Sequence, residues 1–391
     1  MGAKALKALS CAVQGGDAPD GMRILTVLGA RPQFIKAAAV SRVLRRRHEE
    51  IIVHTGQHYD DNMSGVFFRE LDISEPDYNL GAGSGSHARQ TAAILTGVES
   101  LVLSQKPDCV LVYGDTNSTL AGALAASKLC VPVAHVEAGL RSHNRRMPEE
   151  QNRALTDRLS SLLFCPTVTA VENLRKEGIT EGVHNTGDVM LDALVYYGEH
   201  LGKIPKEEFF SRLRGLFRKS PALDRWYLAT LHRAENTGSC ERVAEVLAAL
   251  DRLPHPVIFP AHPRIKGIIA ELEQRHGYKN CVFTEPVGYL DMLFFTKGAV
   301  KVITDSGGLQ KEAYLVGTPC VTVRKETEWP ETLAGGQNVL AKADRDDVYA
   351  KATGRAPGQK SADAPFGDGR AAERITEILS SWDFSGDAFR K

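Results

Sequence analysis

From Met22 onward, short runs of apolar residues alternate with longer segments of helical character, the pattern of a mainly parallel sheet covered by helices. Strands are predicted at 24–28, 51–54, 109–113 and 131–136, and a second series at 226–231, 257–259, 282–284, 300–304 and 320–323. The expected fold class is α/β, with two doubly wound, Rossmann-like domains. Their join falls near residues 185–188, where a short strand ends and a helix beginning near Val189 leads away. The pattern breaks again at 356–358 and 365–369, before an amphipathic helix of about 370–382 predicted to pack back on the first domain, so that a cleft opens by hinging. The divisions are a flexible extension at 1–21, an N-terminal α/β domain at 22–186, a second α/β domain at 187–365, and a returning helix with its tail at 366–391.

Composition agrees with this picture and adds little to it. At 391 residues and 43% hydrophobic content, the chain is long enough for two cores of ordinary size. Lys plus Arg and Asp plus Glu both number 48, so net charge gives no reason to expect nucleic acid or a membrane as partner. The seven cysteines are dispersed without metal-ligand spacing, which reads as reduced thiols in the cytoplasm. The first 21 residues hold only a short apolar run, interrupted by Lys7 and lacking a clear cleavage pattern. They read as a disordered extension or a start site upstream of Met22 rather than a signal peptide.

The candidate chemistry sits at predicted strand ends, where open α/β sheets bind ligands. Thr304-Asp305-Ser306-Gly307-Gly308 joins an apolar strand to a helix, and its amides at the helix N-terminus suit a diphosphate. Glu312, one turn into that helix, is placed to hold a ribose diol. After the first strand, Gly29-Ala30-Arg31-Pro32 with Lys36 puts two cations near the cleft, since Pro32 can open a helix. Asp115 follows the 109–113 strand and is either a turn carboxylate or a catalytic one. Glu137 ends the next strand, and Glu149 is either a first-turn acid complementing a helix dipole or a third member of the set. Three carboxylates on one rim would raise one another's pKa values, the condition for acid/base work. Across the cleft, two strand-end turns carry His232 and His262, placed to bind phosphate or touch a leaving group. Gly81-Ala82-Gly83-Ser84-Gly85-Ser86 lacks dinucleotide spacing and reads as a flexible loop. No Walker A sequence, metal-binding histidine pair or nucleophile elbow is present, so no metal and no cofactor is expected.

Taken in order, these motifs resemble the non-hydrolysing UDP-N-acetylglucosamine 2-epimerase family. The match runs through Gly29-Ala30-Arg31-Pro32, His54-Thr55-Gly56-Gln57-His58, Gly114-Asp115-Thr116 and His135-Val136-Glu137-Ala138-Gly139-Leu140-Arg141. It continues through Pro148-Glu149-Glu150, Asn152-Arg153, Thr186-Gly187-Asp188, His232-Arg233 and Thr304-Asp305-Ser306-Gly307-Gly308, covering about residues 22–379. The resemblance implies a glycosyltransferase-B fold, a homodimer, and UDP held mainly by the second domain with its sugar in the cleft. Carried to matching positions, it implies Asp115, Glu137, Glu149 and His232 as catalytic. It implies Arg31, Lys36, Gln57, Arg153 and His262 as substrate contacts, and Ser306, Gly307, Gly308 and Glu312 around diphosphate and ribose.

Departures from the common pattern bear on the substrate. Ala234 replaces the usual second Arg of a His-Arg-Arg-Glu motif, and Trp329 stands where many relatives have Arg. Residues 59–63 differ from the version in allosterically regulated bacterial relatives, and an Arg expected in the following helix falls at about Ala93. These features resemble a branch that also contains 2-epimerases of UDP-2,3-diacetamido-glucuronic acid, for which Arg141 or Arg145 would be the extra cation. UDP-N-acetylglucosamine is the first expectation. A glycosyltransferase of the same fold or a non-catalytic nucleotide-sugar sensor are the readings from other classes, and neither needs all three acids.

Overall fold

The computed structural model describes residues 21–56, 71, 73–214, 224–355 and 364–383. Its first sheet comprises β1 (Arg23–Leu28), β2 (Glu49–His54), β3 (Tyr78–Asn79), β4 (Cys109–Tyr113), β5 (Val133–Val136), β6 (Leu162–Cys165) and β7 (Val183–Asn185). The second comprises β8 (Tyr227–Thr230), β9 (Val257–Pro260), β10 (Cys281–Thr284), β11 (Val302–Thr304), β12 (Cys320–Thr322) and β13 (Asn338–Leu340). The orders are β3-β2-β1-β4-β5-β6-β7 and β10-β9-β8-β11-β12-β13. Every pairing is parallel, the α/β architecture expected from the alternation.

The strands are short and apolar because helices cover both faces; every residue of β4 is buried. β5 starts two residues later than its apolar run predicts. Pro132 has no amide hydrogen for the ladder, although its carbonyl still accepts from the Val110 amide at 2.9 Å. In both sheets the order reverses, with β1 between β2 and β4 and β8 between β9 and β11. At such a switch point the loops leave adjacent strand ends in opposite directions and open a crevice. The loop after β1 thereby lies beside the loop after β4, and the loop after β8 beside that after β11.

The helices that frame the site are α1 (Arg31–Leu44), α2 (His87–Gln105), α3 (Asn117–Lys128), α4 (Pro148–Leu159), α5 (Val189–Leu201), α6 (Gly307–Val316) and α7 (Ala371–Ser381). As the sequence predicts, α7 returns to the first sheet and packs on α1. Its Ala371, Ala372, Ile375 and Leu379 are buried in one cluster with Ile24, Val40 and Leu44. Burying a side chain the size of Ile375 or Leu379 contributes roughly 1.5–3 kcal/mol. Asp192 of α5 fixes the start of α7 by accepting from the Ala371 and Ala372 amides at 3.1 and 2.8 Å. Among the described residues no helix is long and apolar enough to cross a membrane.

Candidate active site

On the first sheet, one side chain ties together the two loops at the switch point. The Gln33 carbonyl oxygen accepts from the Gly29 and Ala30 amides at 2.8 and 3.0 Å, while its amide donates to the Tyr113 carbonyl at 2.7 Å and Thr119 Oγ1 at 3.0 Å. Pro32 sits in the first turn of α1, as predicted, with Arg31 at the helix start. The Arg31 guanidinium crosses to the other half of the chain and donates to the Val287 carbonyl at 3.0 Å. After β4, Gly114 turns at φ +64°, a left-handed conformation that glycine adopts without strain. His135, fully buried on β5, lies 2.7 Å from the Gly114 carbonyl through Nε2 and 2.7 Å from Asp157 through Nδ1. It anchors the peptide immediately before Asp115.

The structure brings Asp115 and Glu137 together and leaves Glu149 at the rim. Burial raises the Asp115 pKa above the usual carboxylate range; Arg153 opposes the rise, and the charges of Glu137 and Glu149 add to it. Arg153 Nη2 lies 3.0 Å from Asp115 Oδ2, and Asp115 keeps about a third of its side chain open to the cleft. Glu137 behaves differently, so the expectation that crowding lifts the acids together is corrected here. Burial alone would raise its carboxyl, but Lys36 and Lys311 outweigh that and hold it down at about 2. Lys36 pairs with Glu137 Oε2, and Lys311 Nζ lies 3.0 Å from Oε1. Glu149 is exposed on the first turn of α4. Its neighbour Glu150 points inward instead and accepts from the Ser142 and His143 amides at 2.8 and 2.9 Å, shaping that loop. Arg153 is 2% exposed, and its Nη1 has no hydrogen-bond partner among the described residues.

On the second sheet, Asp305 organises the loop that carries His232. It accepts from the His232 and Arg233 amides at 3.0 Å each and from the Asn236 side chain at 3.0 Å, and lies 3.1 Å from His232 Nδ1. Burial pushes its carboxyl up, but His232, Asn236 and Arg233 together hold it below the usual range. His262 is exposed across from His232, with ring centroids 5.9 Å apart. Ser306 caps α6 by accepting from the Leu309 amide at 3.2 Å. Gly307 is glycine for a reason the sequence does not show: a Cβ there would come within 2.0 Å of Glu328 Oε1, whereas at Gly308 it would meet only Ser306 Oγ at an ordinary 3.8 Å. Glu328 is held low against burial by Arg324, Arg233 and Arg153. Glu312 is buried, and desolvation pushes its pKa up to about 7 against Arg31, Lys311 and Lys36. Gln57 lies outside the described residues.

Two doubly wound sheets, with carboxylates following the strands of one and a Ser306-capped helix start following a strand of the other, constitute a glycosyltransferase-B-type architecture. A family model described as UDP-N-acetylglucosamine 2-epimerase matches residues 42–380. A UDP-N-acetylglucosamine 2-epimerase homolog of Methanococcus maripaludis is 47% identical over 361 residues, covering 92% of this chain and 99% of the relative. The UDP-2,3-diacetamido-2,3-dideoxy-D-glucuronate 2-epimerase of Pseudomonas aeruginosa is 47% identical over 369 residues, with coverage of 92% and 99%. The crystal structure of the Methanocaldococcus jannaschii UDP-GlcNAc 2-epimerase in complex with UDP-GlcNAc and UDP superposes with a TM-score of 0.84 at 39% identity, covering 92% of this chain and all of that one. The chain belongs to the UDP-N-acetylglucosamine 2-epimerase family and is an isomerase.

Proposed function

We propose that the chain interconverts UDP-N-acetylglucosamine and UDP-N-acetylmannosamine by eliminating UDP and adding it back. The observation that carries this reading is the pair Asp115 and Glu137, one pushed up and one held ionised, with Glu137 tied through Lys311 to the helix that Ser306 caps. The C2 hydrogen of such a sugar is not next to a carbonyl, so a carboxylate cannot simply remove it. As the C1–O bond breaks, its electrons leave with UDP and C1 gains positive character, which acidifies C2–H. Asp115 takes that proton, and the C–H pair becomes the C1=C2 bond of a glycal. In return, a UDP oxygen re-adds to C1 while Glu149 protonates C2 from the opposite face. Glu137, held ionised, orients the reacting groups and balances charge rather than donating a proton. Arg31, Lys36 and the amides of Ser306, Gly307 and Gly308 stabilise the departing diphosphate, whose charge grows in the transition state. The Nη1 of Arg153, without a partner among the described residues, supports a direct substrate contact; Gln57, His232 and His262 complete the proposed set. Closure about the join at 186/187 retains the glycal; the family resemblance carries a homodimer with it, and the dispersed cysteines suit a cytoplasmic setting.

Incubation with UDP-N-acetylglucosamine in deuterated water, read by NMR, tests this. Deuterium should enter C2 as the epimer appears; no C2 exchange with this sugar or the diacetamido-glucuronic acid derivative would sink the reading. The equal identity of the Pseudomonas relative makes the uronic acid the second reading. Arg141, one candidate for its carboxylate, is already committed: Nη1 lies 2.7 Å from Asp157 and Nε 2.7 Å from Glu177. Running both sugars side by side decides between them.

Two more outcomes follow from the site. Ala93, near which the resemblance puts an Arg of regulated relatives, lines a surface hollow with Arg89 and Gln90, so initial rate against substrate concentration should be hyperbolic; a sigmoidal curve would show activation by a second sugar nucleotide. Glu312, at about 7, should lose its proton when a ribose diol donates to it, because that bond favours the carboxylate. Calorimetry at pH 7 in buffers of different ionisation enthalpy should therefore show proton release on UDP binding, up to about half a proton when the pKa starts at the working pH. Glu312→Gln should abolish it. Equal release in both proteins would remove Glu312 from the ribose.

A further inference from the structure

Lys311 comes from the second half of the chain, on α6 a little over one turn beyond its Ser306 cap. Its side chain is 1% exposed, with Nζ 3.0 Å from Glu137 Oε1, 2.6 Å from Asp188 Oδ2 and 3.9 Å from the centroid of the Trp329 ring. Each partner belongs to a different part of the fold. Glu137 directly follows β5, Asp188 caps α5 at the join between the halves, and Trp329 follows β12. The second oxygen of Glu137 is taken by Lys36 of α1. One carboxylate thus receives a lysine from each half, and Glu137 is held at φ +74°, a left-handed backbone that side-chain-bearing residues rarely adopt.

Resting on the epimerase reading, we propose that Lys311 is a positioning residue that ties the charge state of Glu137 to closure of the two halves. The groups facing Glu137 are Lys36 from α1, Lys311 from α6, Asp115 from the loop after β4 and Arg153 from α4, with Asp188 reaching it through Lys311. With α6 seated, two ammonium groups offset the desolvation of a buried carboxylate and Glu137 is ionised. When α6 withdraws with its half of the chain, Lys311 leaves. Lys36 then stands alone against desolvation and the Asp115 charge, and Glu137 moves toward protonation. The Trp329 face and Asp188 keep the ammonium itself charged in this dry position, and Lys311 is held protonated despite its burial. The carboxylate set is therefore electrostatically complete only in the closed arrangement.

The test is the pH profile of kcat for C2 exchange in the full chain, for wild type, Lys311→Met, Lys311→Met/Asp188→Asn and Lys311→Arg. Activity that needs ionised Glu137 falls as pH drops through its pKa, which removing Lys311 raises. Lys311→Met should raise the Glu137 carboxyl past that of Asp115, which sets the wild-type limb, so that Glu137 takes over the acid limb and moves it up by about one pH unit or more, with a loss of kcat that grows as pH falls. Lys311→Arg should restore most of the rate and the wild-type limb. The double variant removes the stranded Asp188 charge with the ammonium, so it reports the same limb if the single variant does not fold. UDP affinity by calorimetry at pH 6, where Glu312 at about 7 is already mostly protonated, should stay within about threefold. A uniform loss of kcat with the wild-type limb, or loss of UDP binding with an unmoved limb, overturns the proposal. Absent exchange in the wild type would instead remove the epimerase reading itself.

Discussion

Asp115→Asn is expected to lower C2 exchange by roughly 10³-fold, within the range that general-base catalysis supplies, while leaving UDP binding near the wild-type level. The substitution keeps shape and removes basicity. The backbone of Asp115 is held independently of its carboxylate: its carbonyl accepts from Asn152 Nδ2 at 2.9 Å, and the preceding Gly114 carbonyl is anchored by His135 at 2.7 Å. Arg153 loses one charged partner but keeps Glu150 at 3.5 Å and the Glu149 carbonyl at 3.2 Å. The Ser306 turn, where the proposal places the nucleotide, follows a strand of the other sheet and is untouched. Burial raises the wild-type Asp115 carboxyl, which strengthens it as a base once ionised. NMR exchange and UDP calorimetry on the same preparation check the split. Near-normal exchange with intact binding would take the base role away from Asp115 and point to Glu149.

Much of the fold was legible because parallel strands buried on both faces write continuous apolar runs. The predicted 109–113 strand coincides with β4, and the returning helix differs from α7 by one residue at either end. β3 has only two residues, too few to register as a run, and β6 and β13 were not among the predicted strands. The candidate loops were legible for a related reason: a strand end followed by small residues and a helix start is visible in one dimension. What the sequence could not show is which of two neighbouring acids turns inward. Glu149 and Glu150 differ by about 100° around one helix, and only packing decides that Glu150 binds the 142–143 amides while Glu149 faces solvent. Nor could it show Lys311, whose carboxylate partners lie 174 and 123 residues away. Gly307 carried a signal whose structural meaning the sequence hid, since its missing side chain makes room for Glu328.

These omissions share a cause. Each involves a side chain from one half of the chain, or one loop, whose partner is fixed only when the two sheets have folded and met. Such ion pairs decide which acid in a crowded cleft is charged. Spacing along the chain can nominate three carboxylates, but the separation between raised Asp115 and depressed Glu137 comes from two lysines on one oxygen pair. The same holds on the second sheet, where Asp305 appears in the sequence only as part of a turn, yet in the structure gathers the His232 loop.

Asp305→Ala is accordingly expected to destabilise the second half of the chain by roughly 3–5 kcal/mol, the usual effect of deleting one partner from a buried, hydrogen-bonded charge. Two backbone amides, the Asn236 amide and the His232 ring lose their common acceptor, and the two amides cannot turn elsewhere. At about 2–4 °C per kcal/mol for a domain of this size, its melting transition should fall by roughly 10 °C. The effect has a pH signature. The folded pKa of Asp305 is depressed, so its contribution is fully present above the unfolded value of about 3.9 and is lost as pH falls through the folded one. The gap between wild type and variant should therefore be wide at pH 7 and narrow toward pH 3. His232 is set free at the same time, so exchange should fall more than stability alone explains when assayed well below the melting temperature. A melting temperature within about 2 °C of wild type at pH 7 would mean that the His232 loop is held by something other than Asp305.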